Sequence, residues 1–260
     1  MFLKQTRTDS LASLTVDAGN FSPQGKAPVD SVKARAITGF FQRMKYDAVT
    51  LSARETSFGI ALWQEAAKSG FPAVVANVFS DRKAKKPAFG KDHQFVIVNR
   101  HDRKLGVIGF VSENAWKATR RDSTFKMSYK SPFEMGKLIK KVAKKCDYLT
   151  VIGEFTDKEA DSLAKAFPQI DMIASSGIRS DAPKYVGNTI IMGAVSQGVD
   201  GTYVEWNPAA ADSSTRLTSK IVSLDTSMPK DSTGSKILDE INAKIKESQQ
   251  PQPPAQLMKK

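Results

Sequence analysis

Short β-branched runs recur along this chain, separated by segments of helical period, and that alternation restricts the possible fold more than any other feature. The strand-like runs cover residues 14–17, 48–51, 73–78, 95–98, 105–110, 148–152, 171–174, 189–192, 202–206 and 220–224. Between them, segment 32–44 places Val32, Ala36, Phe40 and Met44 at spacings of four, and segment 58–68 carries Ile60, Leu62 and Trp63. Segment 132–145 opens on Pro132, which suits a first helical turn, and segment 157–167 runs from an acidic start to Pro168. Strand, helix, strand order in the first half predicts parallel pairing with right-handed crossovers. From Tyr185 to Leu224 the runs follow one another with short turns, including the turn cluster at 207–216, so antiparallel or mixed pairing is expected there. The expected class is mixed α/β, with two packed sheets and helices outside.

The domain reading is one large unit over 1–226, a linker and amphipathic connecting helix over 227–248, and a Gln, Pro and Lys tail over 249–260 that is expected to be disordered or extended. Ile237, Ile241 and Ile245 share one stripe of the connecting helix. That stripe packs back on its own domain or docks onto a protein partner.

Composition removes several mechanisms. One cysteine cannot close an internal disulfide, no C-x-x-C pair is available for a structural zinc, and two histidines are few for a site built on imidazole. His93 and His101 flank a strand in polar surroundings and are expected at strand ends rather than in a metal pair. Cys146 follows two lysines and has no histidine base nearby, so it is read as structural or incidental. No window holds the ~18 consecutive apolar residues of a membrane span. The opening residues 1–7 lack the apolar core of a signal peptide, so the chain as written carries no export address.

The formal charge is +12, from 39 Lys and Arg against 27 Asp and Glu. Much of it sits in Arg82-Lys-Ala-Lys-Lys86, in Arg120 and Arg121, and in a helix carrying Lys137, Lys140, Lys141, Lys144 and Lys145. With Trp116, Phe125 and Tyr129 interleaved, these form a candidate nucleic-acid or anionic-surface patch. Solvated faces are the expected explanation, since no nucleic-acid fold accompanies the charge and nucleic-acid binding is not expected.

Several blocks together resemble the N-terminal domain of the 5'-nucleotidase branch of the calcineurin-like metallophosphoesterases. They are Leu14-Thr-Val-Asp-Ala-Gly-Asn20, Tyr46-Asp-Ala-Val-Thr-Leu-Ser-Ala-Arg-Glu55, Phe71-Pro-Ala-Val-Val-Ala-Asn77, Leu105-Gly-Val-Ile-Gly-Phe110, Asp147-Tyr-Leu-Thr-Val-Ile152 and Phe167-Pro-Gln-Ile-Asp-Met-Ile173. The resemblance spans roughly residues 1 to 248 and implies a four-layer αββα sandwich. It also implies a dinuclear metal centre that hydrolyses phosphoesters, and a periplasmic or extracellular location.

Residue by residue, the implied metal centre is degenerate. The bridging aspartate of the family falls on Asn20, after an intact Gly19. The Gly-Asn-His-Glu motif falls on Ser52, Ala53, Arg54 and Glu55, which keeps only the glutamate. A later histidine falls on Glu154, and Gly-His-x-His falls on Ser176, Gly177, Ile178 and Arg179. The Asp-x-His motif of the first strand would lie upstream of Met1, so that strand is expected to be missing. The vestigial ligand positions are thus Asn20, Ala53, Arg54, Glu154, Gly177 and Arg179, and no metal cofactor is expected.

Two questions stay open in the sequence. A carboxylate cluster of Asp17, Glu55 and Glu154 could hold a single hard ion. Arg54 and Arg179 could form a phosphate or nucleotide anion pocket, or could pair internally with Glu55 or Glu154, which is the expected outcome because buried charge needs a partner. The expectation is a pseudoenzyme on a metallophosphoesterase scaffold, serving in residual anion binding or structure. The alternatives are a phosphoester hydrolase with a relocated or single-metal site, and a polyanion-binding protein acting through the basic helix.

Overall fold

The computed structural model describes residues 12–23, 28–119, 126–180, 182–193, 200–207, 217–223 and 232–249. Residues 224–231, which include the start of the expected linker, residues 208–216 of the turn cluster, residues 250–260 of the tail, and Arg120, Arg121 and Phe125 lie outside them.

Twelve strands and seven helices follow one another among the described residues: β1 Val16–Asp17, α1 Pro28–Arg43, β2 Ala48–Val49, α2 Ala53–Thr56, α3 Ile60–Lys68, β3 Val78–Phe79, β4 Phe95–Arg100, β5 Arg103–Phe110, α4 Glu113–Ala118, β6 Ser128–Tyr129, α5 Gly136–Ala143, β7 Tyr148–Gly153, α6 Asp157–Ala166, β8 Met172–Ser175, β9 Lys184–Val186, β10 Thr189–Gly193, β11 Asp200–Trp206, β12 Leu217–Ser223 and α7 Ser232–Gln249. The main sheet has the order β4-β5-β7-β8-β10-β9. Its centre is parallel, as the crossovers through α5 and α6 require, and both edges are antiparallel. A smaller parallel layer pairs β1 with β2 and extends through a bridge from Val49 to Ala73. β11 and β12 form an antiparallel hairpin, and β3 pairs with β6.

Side-chain alternation along these strands builds three apolar layers. In β7, Leu149 and Val151 face α5 and α6, where Ile139, Val142 and Leu163 cover them, while Ile152 points the other way. Ile152 meets Val107, Ala48 and Val74 between the sheets. Beyond the small layer, Val49 and Val75 pack with Ala34, Phe41 and Trp63 of α1 and α3. Helices, sheet, sheet, helices is the four-layer order expected from the sequence. Strands covered on both faces read as unbroken apolar runs, which is why the sequence displays them. The two sheets come close at Gly109, where a Cβ would sit 1.9 Å from the Val74 carbonyl oxygen, and there Ala76 N–H donates to the Gly109 carbonyl at 2.8 Å.

The expected stripe of α1 needs correcting. Ala34 and Phe41 are buried, whereas Val32, Ala36, Phe40 and Met44 are only half-buried. The reason is a second neighbour. α7 lies along α1, burying Ile237 and pairing Glu240 with Arg43 at 3.0 Å, and Ala36 and Gly39 line the cleft between the two helices with Ile241. The isoleucine stripe of α7 therefore packs on its own chain. Segment 132–145 also differs: a 3₁₀ turn, Pro132–Met135, capped by Ser131, precedes α5. No described helix is long and apolar enough to cross a membrane.

Candidate functional site

The carboxyl ends of β1, β2, β7 and β8 open on one side of the molecule, and four loops meet there. The loop after β1 is Ala18, Gly19, Asn20. It is pinned from behind by Phe21, whose ring lies 4.8 Å from Phe41 and 5.5 Å from Trp63 in edge contacts. Gly19 has φ +95°, and a Cβ on it would meet Ser52 Cβ at 2.7 Å, so only glycine permits this approach. Asn20 is also left-handed, at φ +67°. Ser52 Oγ, the start of α2, Glu154 after β7 and Ser176 after β8 complete the ring of loops, and Ser176 donates to the Ala18 carbonyl at 2.9 Å.

Hydrogen bonds weave these loops into a hub. The fully buried Glu55 takes Ser22 N–H on Oε1 at 2.8 Å. Its Oε2 takes the N–H groups of Asn20 and Ser52, both at 2.9 Å, and lies 2.5 Å from the Ser52 hydroxyl. The Ser52 hydroxyl accepts from Asn20 N–H at 2.8 Å and stands 2.8 Å from Asn20 Oδ1. Asn20 Nδ2 donates to Glu154 Oε1 at 3.1 Å, and Ala53 N–H donates to Glu154 Oε2 at 2.9 Å. A carboxylate only accepts, so the amide must turn its NH₂ to Glu154 and its oxygen to the serine. Trp63 locks α2 from below by donating to the Glu55 carbonyl at 2.6 Å.

The implied dinuclear metal does not fit these residues. Each oxygen of Glu55 and Glu154 already accepts an N–H, and Asn20, where the resemblance places the bridge, is a neutral amide with its NH₂ on Glu154. Among the described residues no three His, Cys, Asp or Glu side chains form a group that could hold an ion, so the Asp17, Glu55 and Glu154 cluster does not assemble. Asp17 turns back into its own loop, accepting Gly19 N–H at 2.8 Å. Burial pushes its carboxyl up to about 7 against that hydrogen bond, and the nearby Glu55 charge adds to the rise.

The expected internal ion pairs are not formed: neither Arg54 nor Arg179 pairs with Glu55 or Glu154. The glutamates are satisfied by neutral donors at shorter reach, which leaves Arg54 half-buried and Arg179 exposed. The structure thus brings Asn20, Ala53 and Glu154 into direct contact. Gly177 is exposed, with its N–H on Ser175 Oγ at 3.1 Å. The residue overlooked in the sequence is Ser52, which is central to the hub. Ser52-Ala-Arg-Glu55 is a Ser-x-x-Glu capping pattern, a readable sign of a helix start.

The other candidates fall elsewhere. His93 Nδ1 lies 2.9 Å from the Ala73 carbonyl, and His101 occupies the β4–β5 turn at φ +52°. Cys146 donates to the Val142 carbonyl at 3.3 Å, and burial together with the Asp171 charge pushes its thiol up to about 11. Trp116 and Tyr129 stack on each other, centroids 5.5 Å apart and planes at 13°.

A parallel-centred double sheet between helix layers, with its loops gathered at the strand ends, is the metallophosphoesterase fold in the form seen in 5'-nucleotidases. The match is good with a 5'-nucleotidase precursor from Thermus thermophilus, at TM-score 0.72 and 18% identity over 93% of this chain and 52% of that one. The sulfate thiohydrolase SoxB of Thermus thermophilus gives TM-score 0.74 and 17% identity over 90% of this chain and 43% of that one. The calcineurin-like phosphoesterase YfkN of Bacillus subtilis gives TM-score 0.68 and 19% identity over 90% of this chain and 84% of that one. These identities establish a shared fold. The chain spans about half the length of the first three solved structures it matches, at 49%, 43% and 52%. No protein-family model matches the chain. No curated protein matches it either.

Proposed function

We propose that this chain is a pseudoenzyme module of the metallophosphoesterase fold, in which the place of a dinuclear centre is taken by a hydrogen-bonded hub. The observation that carries the reading is the committed state of Glu55 and Glu154, whose four oxygens all accept from Asn20, Ser22, Ser52 or Ala53. Two cations need several converging anionic or imidazole ligands, whereas these carboxylates serve as acceptors for the loops around them, and pulling Glu55 out to a metal would orphan buried N–H groups. The competing reading is phosphoester hydrolysis at a relocated single-metal site, and its support is that several solved structures of the same fold are named 5'-nucleotidases. Elemental analysis of the purified chain, with nucleotide and generic phosphoester assays in Mn²⁺, Mg²⁺ and Zn²⁺, separates the two. Substoichiometric metal and no turnover are expected; stoichiometric metal with turnover would overturn the proposal.

A residual anion pocket at Arg54 and Arg179 is a second reading. It is favoured by the absence of an ion pair on either guanidinium among the described residues. Calorimetric titration with phosphate and with a nucleoside monophosphate tests it, and binding lost in Arg54→Ala is the expected result.

A further inference from the structure

The outer side of α5 carries a charged strip far from any role in the hub. Lys137, Lys140 and Lys144 follow at spacings of three and four, which aligns them along one side of α5, and Phe133 stands in the 3₁₀ turn just before it. The opposite side of the helix, Ile139 and Val142, is buried against the main sheet. Phe133 and the three lysines are all exposed, Phe133 to 44%, and Lys141 is exposed beside them. Among the described residues none of these lysines is ion-paired. The nearby acids are Glu134 at the head, which accepts Ser131 N–H at 2.8 Å, and Asp147 beyond the foot, which accepts Lys104 N–H at 2.6 Å.

We infer that this strip is a docking surface for an anionic lipid bilayer. Ammonium groups act as point charges without the planar fork that reads a single phosphate or carboxylate, so an all-lysine strip suits a diffuse negative surface. The strip lies on the outward face of a helix, whereas single-stranded nucleic acid is held in a groove lined by free aromatic faces. Of the aromatics interleaved with the basic segments, Trp116 and Tyr129 are already stacked on each other. An exposed phenyl ring at the end of a lysine row gains an apolar phase at the boundary between headgroups and acyl chains.

Co-sedimentation of the full chain with phosphatidylcholine vesicles, with and without a third of phosphatidylglycerol, tests the surface at low and high salt. Partition into the anionic vesicles alone, weakening at high salt, is expected. The variant Lys137→Glu/Lys140→Glu/Lys144→Glu should bind on the order of a hundredfold more weakly. Phe133→Ser should bind several-fold more weakly with the same salt dependence. Thermal melts matching the parent mark each variant as folded, and Lys137→Gln/Lys140→Gln/Lys144→Gln is read in place of the reversal if that variant fails to fold. Equal binding to neutral vesicles, unchanged binding by the triple variant, or retention on duplex DNA without vesicle binding would overturn the inference.

Discussion

The side-chain amide of Asn20 donates to the carboxylate of Glu154 across 3.1 Å, joining the loop after β1 to the loop after β7. Each residue accounts for the other. A carboxylate at position 20 would set oxygen against oxygen, and the carboxylate at position 154 can accept because its partner is neutral. Asn20→Asp is therefore expected to lower stability by about 1–3 kcal/mol through like-charge contact and a lost hydrogen bond. Glu154→Gln in the same chain should recover most of the loss. Urea unfolding of the two single variants and the double variant measures the coupling directly, and simple additivity would contradict it.

Glu55 holds the ends of three segments, so its truncation should be costly. Glu55→Ala leaves the N–H groups of Ser22 and Ser52 without an acceptor in a buried site, and leaves Asn20 N–H only the Ser52 hydroxyl. A loss of at least about 3 kcal/mol is expected by the same unfolding measurement, against less for Glu55→Gln, which keeps one acceptor oxygen.

Asp17 should make stability fall with rising pH. Its carboxyl titrates near about 7 in the folded chain. A carboxyl with a raised folded-state value holds its proton more tightly when folded, so its contribution is complete below pH ~4 and is lost as pH rises through about 7. Melting temperatures of the parent and of Asp17→Asn from pH 4 to 8 should diverge across that window, with the variant showing the flatter profile.

Cys146 should be a slow thiol. Its pKa is pushed up to about 11 by burial and by the Asp171 charge. Labelling by a disulfide reagent at pH 8 is expected to run at least about a hundredfold slower in the native chain than in denaturant.

The contact between α1 and α7 contains one strong and one weak element. Ile237 is 4% exposed, so Ile237→Ala should cost about 2–4 kcal/mol. Arg43 and Glu240 are about half exposed, and Glu240→Ala should cost under about 1 kcal/mol. Calorimetric melts of the two variants make the comparison.

What is readable in the sequence follows burial. Runs such as Leu105 to Phe110 are covered on both faces, and the same covering that makes them strands makes them uniformly apolar. The α1 stripe is displaced because periodicity reports a buried face and cannot say how many neighbours bury it; Ala36 faces α7, a helix 190 or more residues away in the chain. The positions that form the hub are readable as candidates because Asn20, Ala53 and Glu154 each sit in or beside a block that carries the resemblance. Their bonding is not. Charge alone favours arginine as the partner of Glu154, yet a main-chain N–H and a short amide already lie within reach at lower entropic cost than a long guanidinium arm.

The shared bonding of Asn20, Ser52, Glu55 and Glu154 also bears on how this chain can change over generations. A single substitution at any of these places disturbs a bond held by at least one of the others, so the four positions tolerate change more readily together than one at a time.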